Sequence, residues 1–78
     1  MSEADKMFEE LGYKKYENYE KTREIFICKG IEKIVFDKEY KYFTTSIIND
    51  GYYELIKHVK IKELKAINKK VEELGWEE

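Results

Sequence analysis

The stretch Ile25-Phe26-Ile27-Cys28-Lys29-Gly30-Ile31-Glu32-Lys33-Ile34-Val35-Phe36-Asp37 decides the fold. Its first four residues are β-branched, aromatic or small and apolar, a composition that favours a pleated, extended chain. Lys29-Gly30 supplies a turn, and Ile34 and Phe36 then alternate with charged or smaller neighbours up to Asp37. Two extended runs joined by so short a connection lie antiparallel, because a parallel pair needs a crossover of a dozen residues or more.

Reading outward extends the pattern. On the C-terminal side, Lys38-Glu39 turns the chain into an extended run over Tyr40–Ile48, with Phe43, Thr45 and Ile47 on one face. Asn49-Asp50-Gly51 is the strongest turn signal in the chain. A fifth run, Tyr52–Val59, reads as strand, although Tyr52, Leu55, Ile56 and Val59 also fit helical spacing. On the N-terminal side, Glu20–Arg23 connects back to Tyr13–Tyr19, a polar, aromatic edge strand.

Helices flank this meander. Ala4, Met7, Phe8 and Leu11 recur at helical spacing over residues 3–11, with Ser2 placed to cap, Asp5 three residues on, and Gly12 as the stop. Ile61, Leu64, Ile67, Val71 and Leu74 form a longer stripe that Gly75 ends, with Trp76 able to fold back on the last turn. The expectation is one α+β domain over residues 1–78. It is an antiparallel meander of four to five strands with both helices packed on one sheet face.

Composition bounds what such a chain does. Seventy-eight residues leave no room for a second domain or a deep cofactor cavity. A hydrophobic share of 42% argues against disorder despite 41% charged residues. The net charge of −2 attracts no polyanion globally, and Arg23 is the one arginine, a poor supply for bidentate phosphate or base readout. The lone Cys28 forms no internal disulfide, the opening Met1–Asp5 is polar and acidic, and no apolar run approaches a membrane span. These features point to a cytoplasmic protein with no membrane partner.

Catalytic and metal chemistry find little vocabulary. Cys28 sits in an apolar run where cysteine behaves as a small hydrophobe, and no local signature ties it to His58. Zinc sites want several Cys or His ligands, and Asn49-Asp50-Gly51 runs straight into Tyr52-Tyr53 where a calcium loop needs alternating oxygen ligands. The carboxylates at Glu9-Glu10 and Glu72-Glu73 read as solvated helix ends. No enzyme, cofactor or metal is expected.

Two features stand above this background. Lys62, Lys65 and Lys69 fall at i, i+3 and i+7 on the C-terminal helix, whose far end carries Glu72 and Glu73. Both placements oppose the helix macrodipole. The tyrosines Tyr16, Tyr40, Tyr42 and Tyr52 fall on the extended runs, interleaved with lysine. If both helices cover one sheet face, the other exposes several of these rings, either as cover for small apolar side chains or as a contact surface.

The opening Ala4-Asp5-Lys6-Met7-Phe8-Glu9-Glu10-Leu11-Gly12-Tyr13 and the closing Lys62–Trp76 resemble small uncharacterised proteins of phages and prophages in low-GC Gram-positive bacteria. The likeness covers both ends of the chain and carries no functional residues. It implies a bacterial or phage cytosolic setting and action by binding a host protein. The function expected is therefore non-enzymatic protein–protein interaction, with a protein partner or a homodimer through the tyrosine-bearing face or an edge strand. The alternative is a single-stranded nucleic-acid binder that stacks bases on the strand tyrosines and tracks phosphates with Lys62, Lys65 and Lys69.

Overall fold

The computed structural model describes residues 2–16, 22–49 and 53–76. Its elements run α1 (Glu3–Glu10), β1 (Tyr13–Tyr16), β2 (Arg23–Cys28), β3 (Glu32–Asp37), β4 (Tyr42–Asn49), β5 (Tyr53–Ile56) and α2 (Ile61–Glu73). The strands form one antiparallel sheet in the order β1-β2-β3-β4-β5, a plain meander. The α+β architecture expected from the sequence is the one observed, and 53–56 is strand. The turn read at Asn49-Asp50-Gly51 falls mostly outside the described residues, as do Tyr52 and the end of the run read over Tyr13–Tyr19.

Local chemistry sets the element ends. Ser2 Oγ accepts the Asp5 N–H at 3.0 Å, capping α1. At the far end of α2, Gly75 takes a φ of +70°. Its N–H reaches Glu72 O while the Trp76 N–H reaches Val71 O, the complete Schellman pattern. Between β2 and β3, Lys29 and Gly30 both take positive φ, as the primed hairpin turns require. The β4 strand starts later than the sequence suggests, at Tyr42 instead of Tyr40. Asp37 Oδ1 accepts both the Glu39 and Tyr40 N–H groups at 3.0 Å, and Lys41 takes a φ of +59°, so residues 38–41 are a turn.

Both helices lie on one face of the sheet. Register puts Tyr13, Phe26, Cys28, Ile34 and Phe36 on that inner face, where they join Phe8 of α1 and Ala66 and Ile67 of α2 in the core. Phe8 stacks on Phe26 at a centroid distance of 4.4 Å, and Phe36 meets both Phe8 and Phe26 edge-on at 6.0 Å. Trp76, folded back by the Schellman turn, reaches Phe36 at 6.2 Å.

The α2 stripe is rotated from the one its sequence implies. Glu63, Ala66, Ile67 and Lys70 are buried, whereas Ile61 is 69% exposed and Leu64 40% exposed. The reason lies in two charged clusters that take the inward positions. Lys57 Nζ donates to Glu63 Oε1 at 2.5 Å and lies 3.3 Å from Glu32 Oε1, while the Tyr13 hydroxyl donates to Glu63 Oε2 at 2.5 Å. Two helical turns further on, Lys70 Nζ reaches Asp5 Oδ1 at 2.7 Å and Glu24 Oε1 at 2.9 Å, above the Phe26 ring. A buried charge is tolerable only when paired in this way.

Candidate interaction face

Strand alternation sends a second set of side chains to the opposite, outer face, on which no described helix rests. Lys14 and Tyr16 lie there from β1, Arg23, Ile25 and Ile27 from β2, and Lys33 and Val35 from β3. Asp37 ends the β3 contribution, and Tyr42, Thr44 and Ser46 continue it on β4. Tyr16, Ile25, Val35 and Thr44 stand in one cross-strand row; Lys14, Ile27, Lys33, Ser46 and Ile56 stand in the next. An antiparallel sheet that meets water on one side normally alternates apolar-in with polar-out. Here the outer face is itself half aliphatic and aromatic. Tyr16 is 52% exposed, Tyr42 47% and Ile56 91%.

The surface is not flat. A hollow of about 160 Å³ opens between Val35, Thr44 and Ser46, with Arg23, Lys33 and Tyr42 at its rim. Asp37 is the carboxylate beside it, and its Oδ2 lies 3.6 Å from Arg23 Nε. The Tyr40 N–H holds the Asp37 carboxyl below its usual range, helped by the Glu39 N–H, the Tyr42 hydroxyl and Arg23. That carboxylate shapes the β3–β4 turn through Oδ1 and faces Arg23 of β2 through Oδ2.

Two larger hollows lie on the helix side, and each includes members of an ion cluster that holds the fold. One, of about 360 Å³, is walled by Leu11, Cys28 and Ile61. Its carboxylates Glu32 and Glu63 belong to the Lys57 cluster. Burial pushes the Glu63 carboxyl up, but Lys57, the Lys60 N–H and the Tyr13 hydroxyl together hold it below the ordinary glutamate value. Burial and the adjoining Glu63 both push the Tyr13 hydroxyl upward. The other hollow, about 440 Å³ between α1 and β1, contains Asp5 and Lys15, which pair with each other at 3.3 Å.

The side chains singled out in the sequence do not converge. Tyr16 and Tyr42 sit on the outer face, Tyr40 projects from the β3–β4 turn at 70% exposure, and Tyr52 lies outside the described residues. Lys62 and Lys65 are exposed on α2, behind the sheet. Lys69 contacts Glu3 at 3.3 Å and Glu72 at 3.6 Å, and Glu3 leads in raising its pKa. Tyrosines and helix lysines thus occupy opposite sides of the sheet.

The acidic end of α2, odd for its own dipole, is explained by its neighbour. Glu73 Oε2 accepts the Ala4 N–H at 2.9 Å, so it serves the N-terminus of α1.

The outer-face residues that sequence reasoning missed are Ile25, Ile27, Val35, Arg23 and Lys33. A signal for them existed: Ile25 to Cys28 is apolar at every position, which puts apolar side chains on both faces. Cys28 is buried, with its thiol 3.9 Å from Leu11 O, a core residue and not an accessible nucleophile. Among the described residues, no group of three or more His, Cys, Asp or Glu side chains is placed to hold a metal ion. No described helix is long and apolar enough to cross a membrane. Comparison with protein-family models, curated proteins and solved structures returns no match.

Proposed function

We propose that this protein is a non-enzymatic interaction module that binds another protein through the outer face of its sheet. The observation that carries the reading is that face itself: Ile25, Ile27 and Val35 at its centre, with the exposed rings of Tyr16 and Tyr42 on either side. Rigid aromatic and β-branched side chains on a preformed sheet supply contact area at little entropic cost. A cytosolic, phage-type setting belongs to the same reading and rests on the lone thiol of Cys28 and on the terminal motifs.

Geometry favours protein over single-stranded nucleic acid. Tyr16 and Tyr42 stand three strand spacings apart, about 15 Å, with aliphatic side chains between them, so consecutive bases cannot stack on both. Lys62, Lys65 and Lys69 lie behind the sheet and reach no strand that crosses its front.

The test compares capture from bacterial lysate by the native protein, by the double variant Ile25→Thr with Val35→Thr, and by Lys65→Glu on α2. Both positions are only partly buried and threonine keeps the β-branching of isoleucine and valine, so the fold is expected to be retained. A partner taken by the native chain and by Lys65→Glu, but lost with the threonine pair, is the expected result. Equal capture by the threonine pair would refute the assignment of this face.

A further inference from the structure

Backbone hydrogen bonds fix which way each residue of β2 faces. Thr22 O accepts the Lys38 N–H and Cys28 O accepts the Ile31 N–H, so even-numbered residues there turn their backbone groups toward β3. Ile25 and Ile27 therefore turn theirs toward β1, where register sets them opposite Tyr16 and Lys14. The N–H and C=O groups of Tyr13 and Lys15 are left pointing away from the sheet, of which β1 is the last strand.

The hollow of about 440 Å³ between α1 and β1 opens along this edge. Lys14 and Lys15 leave β1 on opposite faces and both line it, so it reaches around the margin of the strand. Phe26 and Tyr13, both buried, form its base, and Asp5 and Glu9 of α1 form its far wall.

We propose that the β1 edge takes an extended segment of another polypeptide, laid antiparallel to it, with aliphatic side chains at alternate positions. This site goes beyond the face described above and uses different atoms. Three observations carry it. Tyr13 and Lys15 present two N–H donors and two C=O acceptors at extended spacing, which another extended backbone matches in full. Residues opposite them place their side chains on the helix side, over the hollow, where the Phe26 and Tyr13 rings and the lysine stems receive aliphatic groups. The charge of Lys15 is already met by Asp5 at 3.3 Å and Glu24 at 2.9 Å, so the incoming segment encounters no bare cation there.

A second copy of this chain is a poor occupant. Pairing β1 with itself about its centre sets Lys14 directly against Lys14 of the other copy, a like-charge pair. It also brings Lys15, not an aliphatic side chain, over the hollow.

The experiment is fluorescence anisotropy with a labelled octapeptide alternating valine with serine, with sedimentation velocity of the protein run in parallel. Two further peptides carry N-methyl groups, one on its valines and one on its serines. In the antiparallel arrangement the residues that fill the hollow are also those whose N–H groups bond to Tyr13 and Lys15. Saturable binding of the parent peptide is expected. Methylating the valines should weaken it about tenfold or more, and methylating the serines less than about twofold. Lys15→Pro, which deletes one outward N–H that the sheet does not use, should weaken it at least fivefold. Trp76 fluorescence checks that this variant is folded, and the Ile25→Thr and Val35→Thr pair should bind as the native protein does.

Absence of saturable binding, or equal sensitivity to the two methylation patterns, overturns the proposal. Binding lost with the threonine pair but kept by Lys15→Pro assigns the peptide to the outer face, which removes the edge site and leaves the interaction face standing. A concentration-dependent dimer that excludes the peptide overturns the proposal in favour of a second copy.

Discussion

Removing Lys57 tests whether the buried charges act as the structure implies. Its side chain is 2% exposed and that of Glu63 is 6%, with Nζ and Oε1 at 2.5 Å. Lys57→Met keeps most of the aliphatic volume and deletes the charge, leaving Glu63 with the Tyr13 hydroxyl and the Lys60 N–H. Breaking a buried pair from one side costs ~3–5 kcal/mol. Because two hydrogen bonds remain, the lower end applies, about 3 kcal/mol. Native stability for this length is about 4–12 kcal/mol, so the loss is large.

In urea, with a slope of about 1 kcal/mol/M, the midpoint falls by about 3 M; on heating, Tm falls by about 12–24 °C. Adding Glu63→Leu removes the stranded carboxylate. The double variant then costs only about 1–2 kcal/mol, most of it the Tyr13 hydroxyl left without an acceptor. Trp76, packed on Phe36, reports unfolding by its fluorescence. A Lys57→Met cost below about 1 kcal/mol, or a double variant equal to the sum of the singles, would refute the reasoning.

Stability should also depend on pH at both ends of the range. Burial raises the carboxyl pKa values of Asp5 and Glu24, but Lys70 and Lys15 outweigh it and depress both; Glu63 is depressed too. Their stabilisation is present above the unfolded values of 3.8 and 4.5 and is lost as pH falls through the folded ones, so chemical denaturation midpoints should drop steadily below about pH 4.5. Burial lowers the Lys57 pKa, but Glu63 and Glu32 more than offset this, and Tyr13 is raised by burial and Glu63. Those contributions are full below the unfolded values of 10.5 and 10.0, so stability should fall again above about pH 10. Phe26→Ala, which empties the centre of the ring cluster, should cost about 3–5 kcal/mol by the same urea assay. Glu73→Gln keeps an oxygen for the Ala4 N–H but removes the charge from the α1 terminus. It should cost about 0.5 kcal/mol, less at high salt.

What was legible in the sequence is what local chemistry decides. Ser2, Gly12, Gly75 and Trp76 fix helix ends through bonds within a few residues, and the alternation of Ile34, Phe36, Phe43 and Thr45 fixes strand faces without knowledge of the partner. Tyr40 illustrates an intermediate case. Its run reads as strand from propensity alone, but Asp37 captures two N–H groups and delays β4 to Tyr42, a turn signal that outranks the tyrosine.

The rotation of α2 was beyond any local window. Glu63 bonds Tyr13 across fifty residues of separation and Lys70 bonds Glu24 across forty-six, so the polar residues turn inward and Ile61 and Leu64 turn out. Hydrophobic periodicity assumes that charge seeks water. These two pairings break that assumption.

The two ion clusters have a consequence for where function can reside. Ala4 of α1 and Ala66 of α2 are both fully buried, and such small residues alone bury little apolar area. Asp5, Lys15, Glu24 and Lys70 pin the helix layer to β1 and β2 at one end; Tyr13, Glu32, Lys57 and Glu63 pin it to β1 and β3 at the other. Charges on the inner side are thus consumed in specifying the fold. Those on the outer side, apart from Asp37, are not required to hold the helices. Substitution at Ile25 or Val35 should therefore move binding while leaving the unfolding midpoint nearly fixed, and substitution at Lys57 or Lys70 should do the reverse. On the proposed reading, the two layers of one small domain divide stability from recognition, and that division makes each of them separately testable.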